Sequence, residues 1–367
     1  MSWIKKSATV VAINFGVLLG MLALIALVPP LLADLGSGSY HAYKKLFPTT
    51  ASRKSTLPPY ENYDWSEQHF AEFSALQTTY FDYIGWRRAP FSGETITIDG
   101  EGYRRHGKAG WMQADMWFFG GSTMWGTGVT DSLTIPALFE AVGRMPSFNF
   151  GETGYTAHQS LNLLMKAYLT GGKPKHVVFY DGVNDVAHKC RYELNYYSSA
   201  REQQIREKLK PLGFAGSSFM SVLAPSIKLL SEPFRKQADK SKLFDCDTNP
   251  EKARLVASSL VQDWEIAKKL VEMNGGEFTP VLQPVAHIGS PNLKHLPKVA
   301  ADDTLRRQYQ VVYAEIKQLL KDRHLQYFDA SALFDGSEPL YIDFCHVGPG
   351  GNKKLANGIQ QFLSTQH

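Results

Sequence analysis

From residue 115 onward, short apolar runs alternate with amphipathic stretches, and this alternation constrains the fold more than any other feature of the chain. Runs at 116–120, 147–151, 176–181, 278–283 and 325–330 have the length and apolar content of buried strands. Between and after them, helical spacing of apolar residues covers 135–142, 157–169, 251–273, 304–321 and 351–363. Short buried strands separated by helices imply an α/β protein whose parallel sheet is covered on both faces. Its crossovers are right-handed, because a twisted strand and a right-handed helix pack back only that way. Ligands in such sheets bind beyond the carboxyl ends of the strands. The residues that end each run are therefore where chemistry is expected.

The first run stops in Gly120-Gly121-Ser122, the second leads into Gly151-Glu152-Thr153-Gly154, and the third closes with YDGVND, which supplies Asn184. Near the C-terminus, YIDFCHVGPGGN places Asp343 three residues before His346. A phosphate loop is excluded at the first strand end. Gly121 and Gly126 have its spacing, but Thr127 stands where the lysine belongs, so the charge for the β/γ-phosphates is missing. Nor does GGSTMWGTG have the register of a dinucleotide-binding loop. Acyl transfer instead finds each of its parts. A Ser122 hydroxyl needs a base to attack, and His346 can serve. Asp343 can hold that imidazole in one tautomer and stabilise its cation. The N–H of Ser122, the N–H of Gly154 and the Asn184 amide can converge on a developing oxyanion. Glycine at 154 lets the backbone approach the substrate with no Cβ in the way.

These blocks, GGST, GETGYT, DGVND and DFCH, resemble in order and spacing four signature blocks of the SGNH (GDSL-like) hydrolase superfamily, over residues 115–365. The resemblance implies a flavodoxin-like three-layer α/β/α fold with a five-stranded parallel sheet in the order 2-1-3-4-5, and no metal or organic cofactor. It gives Ser122, Gly154, Asn184 and His346 the four signature roles and Asp343 the third place in the triad. Gly121 stands where the usual Asp precedes the serine and Thr123 where the usual Leu follows it, which points to a subgroup distant from the lipase-like members.

The N-terminus calls for a different environment. No charge occurs between Lys6 and Asp34, and residues 8–28 are apolar almost throughout. About 20 such residues at 1.5 Å each span the ~30 Å hydrocarbon core of a bilayer. The run exceeds a signal-peptide core and lacks an A-x-A cleavage site, so it reads as an uncleaved anchor over 1–34, ended by Pro29 and Pro30. Lys5 and Lys6 before the span balance Lys44 and Lys45 after it. Because a large C-terminal part is exported largely regardless of charge, the expectation is a cytoplasmic N-terminus and an extracytoplasmic catalytic domain. A Ser/Thr/Gly/Pro-rich linker follows at 35–60, an aromatic extension with short strands at 61–110, and the hydrolase domain at 111–367. With a net charge of only +4 and no dense Lys/Arg run, nucleic acid is excluded as a partner.

An insertion at about 186–250 is far longer than an ordinary loop and carries amphipathic patterns suited to a helical lid. Cys190 opens it and Cys246 closes it. In an oxidising compartment a bond between them would clamp the lid and leave Cys345 free; in the cytoplasm all three would be thiols. Trp125 and Tyr155 are candidates for stacking on sugar rings, and Arg87, Arg88, Arg104 and Arg105 for meeting an anionic polymer. The other histidines, among them His106, His158, His188 and His287, lack metal-ligand spacing and read as satisfied or solvent-facing groups. Membrane-anchored members of the resembled superfamily act on acyl groups of envelope or exported polysaccharides. The expected activity is thus removal of O-acyl, typically O-acetyl, groups from a glycan, with membrane lipid and polysaccharide-biosynthesis proteins as further partners. Two alternatives stand beside it: transfer of the acyl group to a glycan hydroxyl, and a catalytically silent glycan-binding component.

Overall fold

The computed structural model describes residues 54–107, 109–143, 145–194 and 243–366. The expected anchor at 1–34, residues 35–53 of the linker and residues 195–242 of the lid lie outside the described residues. Among the described residues, no helix is long and apolar enough to cross a membrane.

The described chain opens with helix α1 (Ser66–Ala75) and two antiparallel ribbons, β1 (Thr78–Phe81) with β2 (Gly85–Arg88), and β3 (Phe91–Ser92) with β4 (Thr97–Ile98). Then come β5 (Met116–Gly120), α2 (Ser122–Trp125), α3 (Ile135–Gly143), β6 (Ser147–Asn149), α4 (Ala157–Leu169), β7 (His176–Asp181) and α5 (Val183–Lys189). The C-terminal part holds α6 (Pro250–Met273), β8 (Glu277–Leu282), α7 (Pro297–Ala300), α8 (Asp303–Asp322), β9 (Phe328–Asp329) and α9 (Pro349–Ser364). Strands β5 to β9 form one parallel sheet. Its order is β6-β5-β7-β8-β9, which is 2-1-3-4-5 when only the strands of this sheet are counted. The four ribbon strands come first in the chain and stay outside the sheet. The extension holds the short strands expected of it and, in addition, α1.

The sheet is buried on both faces because β5 is apolar throughout and β7 carries Val177, Val178, Phe179 and Tyr180 between its polar ends. In β5, Trp117 and Phe119 enter one core with Val177 and Phe179 of β7, under α4, α6 and α8. The intervening Met116 and Phe118 enter the opposite core with Val178 and Tyr180, under α3 and α9. This two-fold alternation is the strand's own geometry. Helix starts are set by their caps. Asn249 accepts from the Lys252 amide at the head of α6, with Pro250 in the first turn, where a missing N–H costs nothing. At α4, Gln159 accepts from the Thr156 amide in a capping box. Cys190 and Cys246 are bonded to each other, and Cys345 is a free, buried thiol.

Candidate active site

Ser122 sits where β5 turns into α2. Gly120 has φ +153°, and a Cβ there would lie 2.5 Å from the Tyr180 carbonyl, so β5 can end beside β7 only in glycine. At Gly121 a Cβ would fall 2.3 Å from Nδ2 of Asn184. That contact gives the departure from the usual Asp a physical reason: with no side chain at 121, the Asn184 amide lies directly against the turn that carries the nucleophile. Thr123, the second departure, accepts a hydrogen bond from Gln283 at the end of β8 at 2.8 Å.

Asp343 and His346 come from the loop between β9 and α9, and the fold brings them to Ser122 across 224 residues of chain. Nε2 of His346 lies 2.7 Å from the Ser122 hydroxyl. Nδ1 of the same ring lies 2.9 Å from both carboxylate oxygens of Asp343. With a carboxylate at Nδ1 the ring proton belongs there, leaving Nε2 to accept from the serine. Asp343 Oδ1 also accepts from the amides of Cys345 and His346, at 3.1 and 2.8 Å. Lys54 donates to Oδ2 at 2.7 Å. Burial works against the charge on Asp343, but His346 and then Lys54 outweigh it and hold the carboxyl well below the usual range. Ser122, Gly154, Asn184, Asp343 and His346 are all half-buried, whereas most of their neighbours in sequence are buried.

The candidate oxyanion donors are held by their surroundings. Asn184 lies in the first turn of α5, and its Nδ2 donates to the Tyr155 carbonyl at 2.7 Å, so the amide touches both the Gly121–Ser122 turn and the Gly154–Tyr155 loop. Gly154 has φ +82°, a conformation costly for other residues. Three residues not foreseen as supports fix this loop. Glu152, fully buried, accepts from the amides of Arg88 and Thr153 at 2.9 and 2.6 Å. Trp86 donates to the Thr153 carbonyl at 2.9 Å, and Tyr155 donates to the Trp86 carbonyl at 2.5 Å. Asp185, also buried, pairs with Lys189 at 2.9 Å and accepts from the Ala157 amide, tying α5 to the head of α4.

Several expected ligand contacts are corrected. Trp125 and Tyr155 are 0% and 1% exposed and offer no face to a sugar. Trp125 packs under the Arg104 guanidinium, 4.3 Å from its ring centre, and Tyr155 packs edge-on against Trp86. The arginines are no polymer-binding surface either, for Arg87, Arg88 and Arg104 are buried. Arg104 holds the loop after the nucleophile through the carbonyls of Gly126 and Val129, both at 2.6 Å, and through Asp131. Arg105 pairs with Asp99. His287, expected to be satisfied or solvent-facing, is buried with neither ring nitrogen bonded among the described residues. Burial pushes its imidazole down to about 4, so it stays neutral. The Cys345 thiol, 3.5 Å from Nδ1 of His346, is pushed up by burial and does not compete with Ser122 as a nucleophile. Asp343, Cys345 and His346 also have potential metal-ligating atoms within 4.8 Å of one another, but Asp343 and His346 are already bonded to each other and to the serine.

No family model matches the chain, and no curated protein matches it. Among solved structures it is similar to a member of the lipolytic protein G-D-S-L family from Veillonella parvula DSM 2008, at 13% identity and TM-score 0.40, over 67% of this chain and 96% of that one. An acetyl xylan esterase, AlAXEase, is similar at 13% identity and TM-score 0.37, over 67% and 98%. A carbohydrate acetylesterase family member from Sinorhizobium meliloti is similar at 13% and 0.36, over 68% and 98%. Likeness at these values says nothing of function; the chemistry rests on the site's own geometry.

Proposed function

We propose that the chain is a serine esterase that works through an acyl-enzyme on Ser122 and removes O-acyl groups, typically O-acetyl, from a cell-envelope or exported polysaccharide. The bonded series Ser122–His346–Asp343, at 2.7 and 2.9 Å, carries the catalytic part of this reading. In the first half-reaction His346 takes the Ser122 proton as Oγ attacks the ester carbon, and Asp343 stabilises the imidazolium. The oxyanion receives hydrogen bonds from the Ser122 and Gly154 amides and from the remaining Nδ2 hydrogen of Asn184. His346 then protonates the departing sugar hydroxyl. A water molecule, deprotonated by the same imidazole, releases the carboxylic acid and restores Ser122.

The apolar run at 8–28 supports a single-pass anchor, and the Cys190–Cys246 bond supports an oxidising, extracytoplasmic compartment for the domain. The polysaccharide substrate rests on the resemblance of the four blocks taken with that anchor. The test is to give the full chain an acetylated glycan together with an excess of the unacetylated glycan and follow the acetyl group. Free acetate lost on Ser122→Ala is the expected result. Acetyl appearing mainly on the second glycan would make the chain a transferase with the same nucleophile, and no Ser122-dependent movement of acetyl from any ester would leave the silent glycan-binding reading.

A further inference from the structure

The ammonium of Lys54, 2.7 Å from Oδ2 of Asp343, arrives from 289 residues away in sequence, from a stretch outside the four signature blocks. It is not a chance surface contact. The segment that carries Lys54 is seated on the loop of Asp343 and His346: Tyr60 and Phe70 share a small core with Ile342, and a Cβ on Gly348 would lie 2.6 Å from Pro59. Tyr60 also donates to the Gly128 carbonyl at 2.7 Å, tying the same segment to the loop after the nucleophile.

We propose that Lys54 is a positioning residue of the triad: its ammonium fixes the Asp343 carboxylate and offsets part of its charge, so that His346 is a weaker base than it would be beside an unpaired aspartate. This rests on the esterase reading of the site. An aspartate alone stabilises the imidazolium in full. A cation on its far oxygen opposes that imidazolium at a distance of several ångströms, and in a half-buried site such a pair is only partly screened.

The other groups facing Asp343 carry no charge that could obscure the effect. Tyr60, on the same segment, Cys345, on the same loop, and Tyr309, on α8, are each pushed up by burial and by the carboxylate, and stay neutral at working pH. Asp185, whose charge reaches Tyr309, is paired with Lys189. Lys54 is the cation that the structure pairs with Asp343 from outside the triad.

The full chain is compared with Lys54→Gln, which keeps a hydrogen-bond donor without the charge, and with Lys54→Arg, which keeps both. The His346 ring is titrated by NMR, and kcat/KM on 4-nitrophenyl acetate is followed against pH. Removing the cation stabilises the imidazolium. Lys54→Gln should therefore move the ring midpoint and the acid limb of the rate profile together to higher pH, by about half to one unit. Lys54→Arg should return both to their original positions. A ring midpoint that stays put in Lys54→Gln would overturn the proposal, whatever happened to the rate, and leave Lys54 as a structural ion pair. If the unsubstituted chain showed no Ser122-dependent turnover, the esterase reading would fall, while the ring titration would still decide the electrostatic role of Lys54.

Discussion

At Asn184, one amide hydrogen is committed to the Tyr155 carbonyl, which leaves the other for an oxyanion. Asn184→Ala should lower kcat by about 10²–10³-fold, the usual loss for one such donor, with an unchanged thermal midpoint. Gly121→Ala tests the same contact from the other side. Its new Cβ would fall 2.3 Å from Nδ2 of Asn184, and a side-chain tip can move aside with little loss of stability. The variant should fold normally yet lose activity comparably to Asn184→Ala. The double variant should be little worse than either single one, because both remove one interaction. Additive losses in steady-state kinetics would mean that Gly121 acts in some other way. The candidate catalytic residues that the structure brings together, Ser122, His346 and Asp343, were legible in the sequence because each stands in a strand end or tight turn with a distinctive side chain. Lys54 and Glu152 were not, because their partners are distant in sequence and a lone Lys or Glu has no local signature.

Helix α1 holds the loop after Ser122 through His69 and the turn at residues 94–96 through Glu72, both buried. Nε2 of His69 accepts from the Gly128 amide at 3.1 Å, so its proton sits on Nδ1, facing the Thr95 hydroxyl. Burial, helped by the charge of Arg104, pushes His69 down to about 3. Glu72 is pushed upward by burial, but bonds from Thr95, Gln68 and the Glu94 and Thr95 amides outweigh this and bring it down to about 2. Below about pH 6.5 the unfolded chain protonates this histidine and the folded one does not, and below about 4.5 the same becomes true of Glu72. Both contributions are therefore complete above pH 6.5 and are lost as the pH falls towards 3 and then 2. Denaturant melts should show stability falling across this window, with a shallower fall in His69→Gln; equal slopes would refute the assignment. On the sheet itself, Phe119 is fully buried and stacks on Phe150 at 4.6 Å. Phe119→Ala should cost about 3–5 kcal/mol in the same assay. The sheet strands and their main helices were readable from period and burial, since apolar runs of that length fit few other structures. Helix α1 was missed because its inner face is built largely of Ser66, His69 and Glu72, polar residues that leave no apolar stripe.

Among the described residues, the sequence reading erred in assigning Trp125, Tyr155, Arg87, Arg88 and Arg104 to the surface. Trp125, Tyr155, Arg87 and Arg104 are each less than 2% exposed. Composition cannot distinguish an arginine that meets solvent from one that ties loops together, because the choice depends on which carbonyls the fold leaves unpaired. The Cys190–Cys246 bond closes a loop of 56 residues, which in the chain-entropy treatment restricts the unfolded state by about 4 kcal/mol. Peptide mapping of the protein isolated under non-reducing conditions should find that pair linked and Cys345 free, and Cys246→Ser should lower the thermal midpoint. The central claim, an acyl-enzyme on Ser122 fed by the His346–Asp343 pair, is tested most directly by trapping it. The full chain is mixed with an aryl acetate, quenched in acid within the first turnovers, and the acetyl group located by mass spectrometry. Acetyl on Ser122, absent from Ser122→Ala and from His346→Ala, is the predicted result; turnover that persists in Ser122→Ala with Ser122 never labelled in the unsubstituted chain would contradict it.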